Sequence, residues 1–162
     1  MMAISNRFIW IPLYIFLAYR IYKKHGKKSW LIVLFAIIAV ALSDQLASHL
    51  VKNIFMRYRP SHNLILSSQL HFVDDYVGGL YGFASSHASN TFSLTIFFML
   101  LMPKNYKLIA GLFCWAVIVC YSRMYLGVHY PSDIFGGALI GVMSACIAYR
   151  LYLITKKRIF VN

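Results

Sequence analysis

Acidic residues are almost absent from this chain. Its 162 residues include four aspartates and no glutamate, against sixteen lysines and arginines, and the formal net charge is +12. Charged residues make up only 12% of the sequence and hydrophobic residues 60%, which excludes an ordinary soluble domain. The cations lie at the ends of apolar runs, where they suit anionic lipid head groups better than nucleic acid. We therefore expect membrane lipids, and no nucleic acid, as partners.

Cysteine is scarce as well, and its three positions exclude two common kinds of site. Cys114, Cys120 and Cys146 lie in apolar stretches without the spacing of metal ligands, and an odd number provides no disulfide framework. We interpret them as small buried residues of membrane helices. A signal-peptide cleavage site is also missing after the first apolar run, so this run is expected to stay in the protein as a membrane anchor.

Long apolar runs are what the sequence has in abundance. Several of them approach the ~20 residues with which a helix crosses a bilayer. They predict an all-α, polytopic bundle of about five transmembrane helices, which forms a single domain over residues 1–162. The five runs are 8–22, 29–51, 88–102, 107–123 and 132–154.

The positive charges between these runs predict which side of the membrane each end faces. Three basic clusters follow the first run, separate the third from the fourth, and follow the fifth, so five alternating helices place all three on one face. By the positive-inside tendency this face is cytoplasmic. We expect an integral protein of a bacterial cytoplasmic (inner) membrane, with its polar site at the extracytoplasmic rim. The few cations near that rim are Arg7, Lys52, Arg57, Arg59 and Arg123.

Three polar segments interrupt the apolar runs. They are Lys52-x6-Arg59-Pro60, Ser85-Ser86-His87 and Ser122-Arg123-x5-His129-x3-Asp133. Ionisable groups near a bilayer are costly, so a functional site is the default interpretation. Lys52, Arg59 and Arg123 provide the positive charge that a phosphoryl group needs around its oxygens. Ser85 can donate from its hydroxyl, and Ser86 lies where backbone N–H groups at a helix start would point at an anion.

The spacing of these segments resembles the type 2 phosphatidic acid phosphatase (PAP2) superfamily. The family pattern is Lys-x6-Arg-Pro, then Pro-Ser-Gly-His, then Ser-Arg-x5-His-x3-Asp. The first and third motifs match without a departure, whereas Ala84 stands for the proline and Ser86 for the glycine of the second. The resemblance implies a membrane lipid phosphate phosphatase. Family members commonly have six helices, so we expect that a leading helix is absent from this sequence.

The resemblance also implies a role for each site residue. His129 would be the nucleophile that forms a phosphohistidine, and Asp133 would hold its ring and fix its tautomer. His87 would protonate the leaving oxygen and then activate water. The phosphate would be bound by Lys52, Arg59, Ser85, Ser86 and Arg123.

A metal site is the main alternative use of these residues. His129 and Asp133 are spaced as two ligands of a zinc site would be, but a third ligand is missing and three cations nearby favour an oxyanion. We therefore predict no metal and no other cofactor. The family resemblance likewise implies metal-independent chemistry, and inhibition by vanadate as a phosphate mimic.

Three further features carry weaker expectations. The long polar loop at 53–84 is either a functional lid or binding loop, or a solvated connector with a short interfacial helix. Asp44 shares a helical face with Lys52 and either orders the polar interior or, as we prefer, only makes an interhelical hydrogen bond. Gly137 and Gly141 would let two helices pack closely behind the site.

Three functions fit these observations. The first is a phosphatase for a lipid phosphomonoester or diphosphate, with undecaprenyl diphosphate preferred by family analogy over phosphatidic acid, phosphatidylglycerol phosphate and lipid A. The second is a phosphotransferase that passes the phosphoryl group to an acceptor other than water. The third is a non-catalytic protein that binds or transports a lipid phosphate. A haloperoxidase is set aside, because the family resemblance places those enzymes in larger, soluble chains.

Overall fold

Helices make up almost all of the regular structure in the computed structural model, which describes residues 1–70 and 72–160 but not the side chain of Asp74. The α-helices are α1 (Met2–Ser5), α2 (Ile11–His25), α3 (Ser29–Gln45), α4 (Lys52–Phe55), α5 (Ser86–Leu101), α6 (Tyr106–Tyr125) and α7 (Pro131–Phe160). Short 3₁₀ turns lie at Arg7–Trp10, Gly26–Lys28, Pro60–His62, Ser67–Gln69 and Val73–Asp75, and a π-helical turn at Leu46–Val51 joins α3 to α4. Within the described ranges no strand occurs, and this confirms the predicted all-α class.

Three helical stretches of the described chain are long and apolar enough to cross a membrane. They are Arg7–Phe55, Tyr106–Tyr125 and Pro131–Phe160. The first of them contains the two predicted runs 8–22 and 29–51, which Gly26 separates with a φ of 56° that glycine adopts easily. α3 is apolar on nearly all sides, as a helix facing lipid and protein must be. The predicted polytopic bundle is therefore confirmed.

The core of the bundle surrounds α5, which contacts α3, α6 and α7. Phe97 and Phe98 of α5 are almost fully buried, and they belong to one cluster with Leu31, Leu112 and Tyr152. α5 also buries small hydroxyl side chains that bond to helix carbonyls, which satisfies them without water. α5 has only 16 residues, and it is enclosed by the longer helices α3, α6 and α7.

The three basic clusters lie together at one end of the bundle. Lys24 and Lys104 line one cavity, and the ammonium group of Lys28 lies 4.9 Å from the ring centroid of Phe160. α5 runs from Ser86, beside the polar segments, to its other end near this cavity. The prediction that the clusters share a face, opposite the polar segments, is confirmed.

Close packing of α7 against α5 depends on two glycines. A Cβ atom at Gly137 would collide with the carbonyl oxygen of Ser85, and one at Gly141 with that of Ser89. The predicted role of this pair is confirmed, because any side chain there would push α5 away from α7.

The polar group on α3 makes an interhelical hydrogen bond. The side-chain amide of Asn90, on α5, donates to Asp44 Oδ1 at 2.9 Å, and Ser43 donates to the Asn90 side-chain oxygen at 2.8 Å. The predicted interhelical hydrogen bond of Asp44 is therefore confirmed, whereas the interpretation that this is its only part stays a prediction.

The cysteines differ from their predicted burial. Cys120 is buried, whereas Cys114 and Cys146 lie exposed on the outer surface of the bundle. The interpretation of all three as buried residues was therefore wrong for two of them. Apolar periodicity is weak in helices that face lipid, so it did not distinguish the inner from the outer surface.

The loop between α4 and α5 lies against the turn between α6 and α7. The N–H of Ser61 donates to the Gly127 carbonyl at 3.1 Å, and the N–H of Ser85 donates to the Asp133 carbonyl at 3.0 Å. Its regular structure consists of short 3₁₀ turns, and the described part of the loop contains no interfacial α-helix. His71 lies outside the described residues.

Candidate active site

The three polar segments meet at one end of the bundle, on four helices and on two of the segments that connect them. Lys52 begins α4, and Arg59 lies in the loop that follows α4. Ser85 caps α5, and Ser86 and His87 form the first turn of α5. Arg123 lies in the last turn of α6, His129 follows α6, and Asp133 lies in the first turn of α7. Five of these eight residues are buried, namely Arg59, Ser85, Arg123, His129 and Asp133. Burying so many polar groups is costly unless they form hydrogen bonds or pair with an opposite charge.

The His129 ring is held between a cation and a carboxylate. Its Nε2 lies 3.1 Å from Arg59 Nη1, which also donates to the Val128 carbonyl at 2.8 Å. A guanidinium can only donate, so Nε2 must be the acceptor and carry no proton. The neutral tautomer therefore has its N–H at Nδ1, on the side of Asp133, and its lone pair at Nε2, on the side of the arginines.

Asp133 has other, shorter contacts than the one to His129. Its Oδ2 accepts from the backbone N–H of Tyr130 at 2.9 Å, whereas His129 Nδ1 lies 3.4 Å from the same oxygen without the alignment of a good hydrogen bond. Its Oδ1 lies 3.2 Å from Arg57 Nη1. The structure thus brings His129 and Asp133 together as predicted, but with a long contact.

Burial of His129 favours its neutral form. Desolvation is the largest of the effects that lower the pKa of His129 to about 4; the charges of Arg59 and Arg123 act in the same direction, and Asp133 opposes them. Burial also lowers the pKa of Arg59, helped by the charge of Arg123. The site therefore combines an uncharged imidazole with closely spaced cations.

Two arginine N–H groups in this site have no hydrogen-bond partner among the described residues. They are the Nε groups of Arg59 and Arg123, both fully buried. A buried donor without an acceptor is costly, and a charged one more so. An oxyanion would satisfy both, and Lys52 lies within electrostatic reach of the two guanidiniums.

The second motif forms the start of α5. The Ser85 hydroxyl accepts from the N–H of Ala88 at 3.4 Å and so caps the helix. Ser86 is the first helical residue, so its backbone conformation is one that serine adopts without strain. The departure from the family glycine therefore leaves the helix start, and its N–H groups, intact.

His87 faces the N-terminal segment. Its Nε2 lies 3.1 Å from the carbonyl oxygen of Ser5, and the Ser5 hydroxyl lies 2.8 Å from that of Ser122. Beside these contacts a cavity of about 320 Å³ is lined by Met2, Ala3, Ser5, Asn6, Tyr76 and Arg123. His87 also lies within electrostatic reach of Arg123.

Sequence reasoning missed three residues that the structure places at the site. Tyr76 accepts from Arg123 Nη2 at 3.1 Å, Ser5 bonds to His87, and Arg57 pairs with Asp133. Only Arg57 had a usable signal, because it lies two residues before Arg59 in extended chain, where alternate side chains share a face. Tyr76 and Ser5 have no motif around them.

The comparisons with known proteins agree with one another. A family model described as the PAP2 superfamily matches residues 29–157. The chain is 35% identical over 158 residues to the lipid A 4'-phosphatase of Porphyromonas gingivalis. The aligned region covers 96% of this chain and 66% of that protein. It is 33% identical over 154 residues to the lipid A 4'-phosphatase of Bacteroides thetaiotaomicron, and this aligned region covers 92% of this chain and 67% of that protein. The chain thus spans about two thirds of the length of these relatives.

Similarity extends to a second named activity and to a solved structure. The chain is 30% identical over 137 residues to the undecaprenyl-diphosphatase of Sulfolobus acidocaldarius. The aligned region covers 85% of this chain and 60% of that protein. The crystal structure of Aquifex aeolicus LpxE matches with a TM-score of 0.62 and 27% identity, over 90% of this chain and 79% of that one.

Proposed function

The chain belongs to the PAP2 superfamily, and on that premise we propose that it is a membrane phosphatase that hydrolyses a phosphate ester or diphosphate of a lipid. The observation that supports this most directly is the pair of unpartnered, buried Nε groups of Arg59 and Arg123 beside a neutral His129. Cations with free donors bind a phosphoryl group, and an uncharged imidazole can attack it.

In the first step of the proposed reaction, the lone pair of His129 Nε2 forms a bond to phosphorus. The bond from phosphorus to the lipid oxygen breaks, and that oxygen takes a proton from the imidazolium form of His87. Burial and the charge of Arg123 lower the pKa of His87 to about 4, so only the protonated fraction of the enzyme carries out this step. Before attack, a phosphate oxygen takes over the Arg59 N–H that now points at Nε2. The negative charge on the other oxygens is shared among Arg59, Arg123 and Lys52.

In the second step, water replaces the histidine. His87 takes a proton from the water, whose oxygen bonds to phosphorus while the phosphorus–nitrogen bond breaks and phosphate leaves. Because one ring nitrogen of His87 is hydrogen bonded to the Ser5 carbonyl, this exchange uses the other nitrogen or requires Ser5 to move. The proposal is metal-independent throughout, since the site cations already supply the charge that a metal would bring.

The relatives suggest which lipid to test first. The two lipid A 4'-phosphatases match over more of this chain than the undecaprenyl-diphosphatase does. We therefore place phosphorylated lipid A ahead of undecaprenyl diphosphate, the substrate that the sequence alone favoured. The site end of the bundle would face outward from a bacterial cytoplasmic membrane, opposite the basic end.

Phosphate release by detergent-purified protein tests the proposal. The panel contains lipid A, undecaprenyl diphosphate, phosphatidic acid and phosphatidylglycerol phosphate, each with and without EDTA or vanadate. We expect release from at least one lipid that EDTA leaves unchanged, vanadate inhibits, and His129→Ala abolishes. His49→Ala, which removes an exposed histidine outside the site, is the matched control and should retain activity.

Two results would contradict a hydrolase. Release that depends on an added alcohol acceptor and not on water would indicate a phosphotransferase. Binding of a lipid phosphate by folded wild-type protein, without release and without loss in His129→Ala, would indicate a non-catalytic binding protein.

A further inference from the structure

Arg57 contacts Tyr130 and the first turn of α7 through three different interactions. Its Nη1 donates to the Ser132 hydroxyl at 2.7 Å and lies 3.2 Å from Asp133 Oδ1. Its guanidinium carbon lies 4.1 Å from the ring centroid of Tyr130. All three partners belong to the short segment that follows His129, so Arg57 connects the loop between α4 and α5 to the residues that carry the proposed nucleophile.

The charge of Asp133 makes this contact significant. The carboxyl group has no solvent exposure, and a buried carboxylate is unfavourable without a cation or several donors. Among the described residues, only Arg57 and His129 bring a basic nitrogen within ion-pair distance of an acidic side chain. Because the pKa of His129 is lowered to about 4, its ring is neutral near pH 7, and Arg57 is then the cation that balances Asp133.

The site cations therefore divide into two groups. Arg59 and Arg123 keep buried donors free for an anion, while Arg57 directs its Nη1 to the carboxylate and presents its face to an aromatic ring. A planar guanidinium can stack on a ring and donate at its edge at the same time, which an ammonium group cannot do. The side chain of Arg57 is 42% exposed, so it spans from the rim to the buried carboxylate.

We propose that Arg57 is a positioning residue for the His129–Asp133 pair, which holds the Asp133 carboxylate charged and oriented behind the imidazole. It occupies Oδ1, so that Oδ2 remains for the Tyr130 N–H and for His129 Nδ1. When His129 is phosphorylated and gains positive charge, this fixed carboxylate is the group that stabilises it. The inference rests on the proposed phosphatase function, since it assigns Arg57 a part in that reaction.

A mutant cycle tests the inference with the lipid that gives the highest release. Arg57→Gln should lower kcat by about 10- to 100-fold, the range typical of residues that orient a site ligand, with KM changed less than about threefold. Asp133→Asn should be at least as severe, and adding Arg57→Gln to it should cost little more, because both changes act on one interaction. Arg57→Lys, which keeps the charge, should recover part of kcat. Arg7→Gln, which changes an exposed arginine near the same rim, is the control.

The outcomes separate this inference from the proposed function. Unchanged kcat in Arg57→Gln, or losses that multiply in the double variant, would overturn the positioning role. A raised KM with unchanged kcat would do the same and would make Arg57 a substrate ligand. If the wild-type protein releases no phosphate, the function proposal fails by itself. The cycle is then measured as thermal stability, where additive effects of Arg57→Gln and Asp133→Asn would overturn the pairing.

Discussion

At the scale of single residues, the neutral state of His129 follows from where it lies. The ring is almost fully buried, and this desolvation, together with two nearby guanidiniums, opposes its protonation more than the Asp133 carboxylate favours it. The proposed nucleophile needs a free lone pair, and Arg59, which donates to Nε2, has an N–H group that a phosphate oxygen could accept instead. Burial and cations thus favour the uncharged imidazole that the proposed mechanism requires.

The pH dependence of activity should reveal this state. His129 binds a proton only as the pH falls through its folded pKa of about 4, compared with 6.5 for an ordinary histidine. We therefore expect kcat/KM to keep most of its value at about pH 5, where an ordinary histidine would be largely charged. The measurement is a pH profile of kcat/KM, corrected for the separately titrated substrate phosphate. A loss of activity centred near the ordinary value and not explained by the substrate would contradict a buried neutral nucleophile.

At the scale of helices, the geometry of the site depends on how closely α7 approaches α5. The carbonyl of Ser85 lies where a side chain at position 137 would have to go, and the N–H of Ser85 donates to the Asp133 carbonyl. The Gly137 contact therefore sets the distance between the second motif and the third. A shift of α7 would move Asp133 and the helix start of α5 together.

Replacing Gly137 by alanine tests this packing. The new Cβ meets backbone, which cannot rotate away, so overpacking should cost about 1–3 kcal/mol of stability. We expect a lower midpoint of thermal unfolding in detergent and reduced phosphate release. Gly111→Ala, at a position on α6 with open space around it, should leave both nearly unchanged. Equal behaviour of the two variants would show that the helices are not in tight contact at position 137.

At the scale of the whole molecule, the three basic clusters and the candidate site lie at opposite ends of the bundle. The cations near the cavity lined by Lys24 and Lys104 have no acidic partners among the described residues, which suits an end that meets anionic lipid head groups. The site end instead directs its cations inward, toward His129. One bundle thus carries two basic regions with different surroundings.

Cysteine labelling of intact cells tests the orientation that we propose. In a background where Cys114, Cys120 and Cys146 are replaced, Leu64→Cys reports on the site end and Lys27→Cys on the basic end. Leu64 is 94% exposed and Lys27 is also exposed, so both report on access to solvent. We expect a membrane-impermeant maleimide to label position 64 in intact cells and position 27 only after lysis. The reverse pattern would place the site on the cytoplasmic side.

The sequence by itself determined the fold class of the protein and predicted most of the residues that meet at the candidate site. Apolar runs long enough to cross a bilayer leave helices as the only way to satisfy the backbone, so the all-α bundle followed without knowledge of contacts. Arg59 and Arg123 were predicted from the residue types that bind phosphate, and His129 from the family resemblance; the structure brings all three together.

Only the tertiary structure decided how these residues are connected. Arg57 meets Asp133 across a sequence separation of 76, and His87 meets Ser5 across 82, and no local pattern encodes such pairs. The order of contacts around Asp133, with Arg57 and the Tyr130 N–H closer than His129, was equally inaccessible from spacing. The physical reason is that spacing fixes which side chains share a helix face, whereas packing of helices against a loop fixes which faces meet.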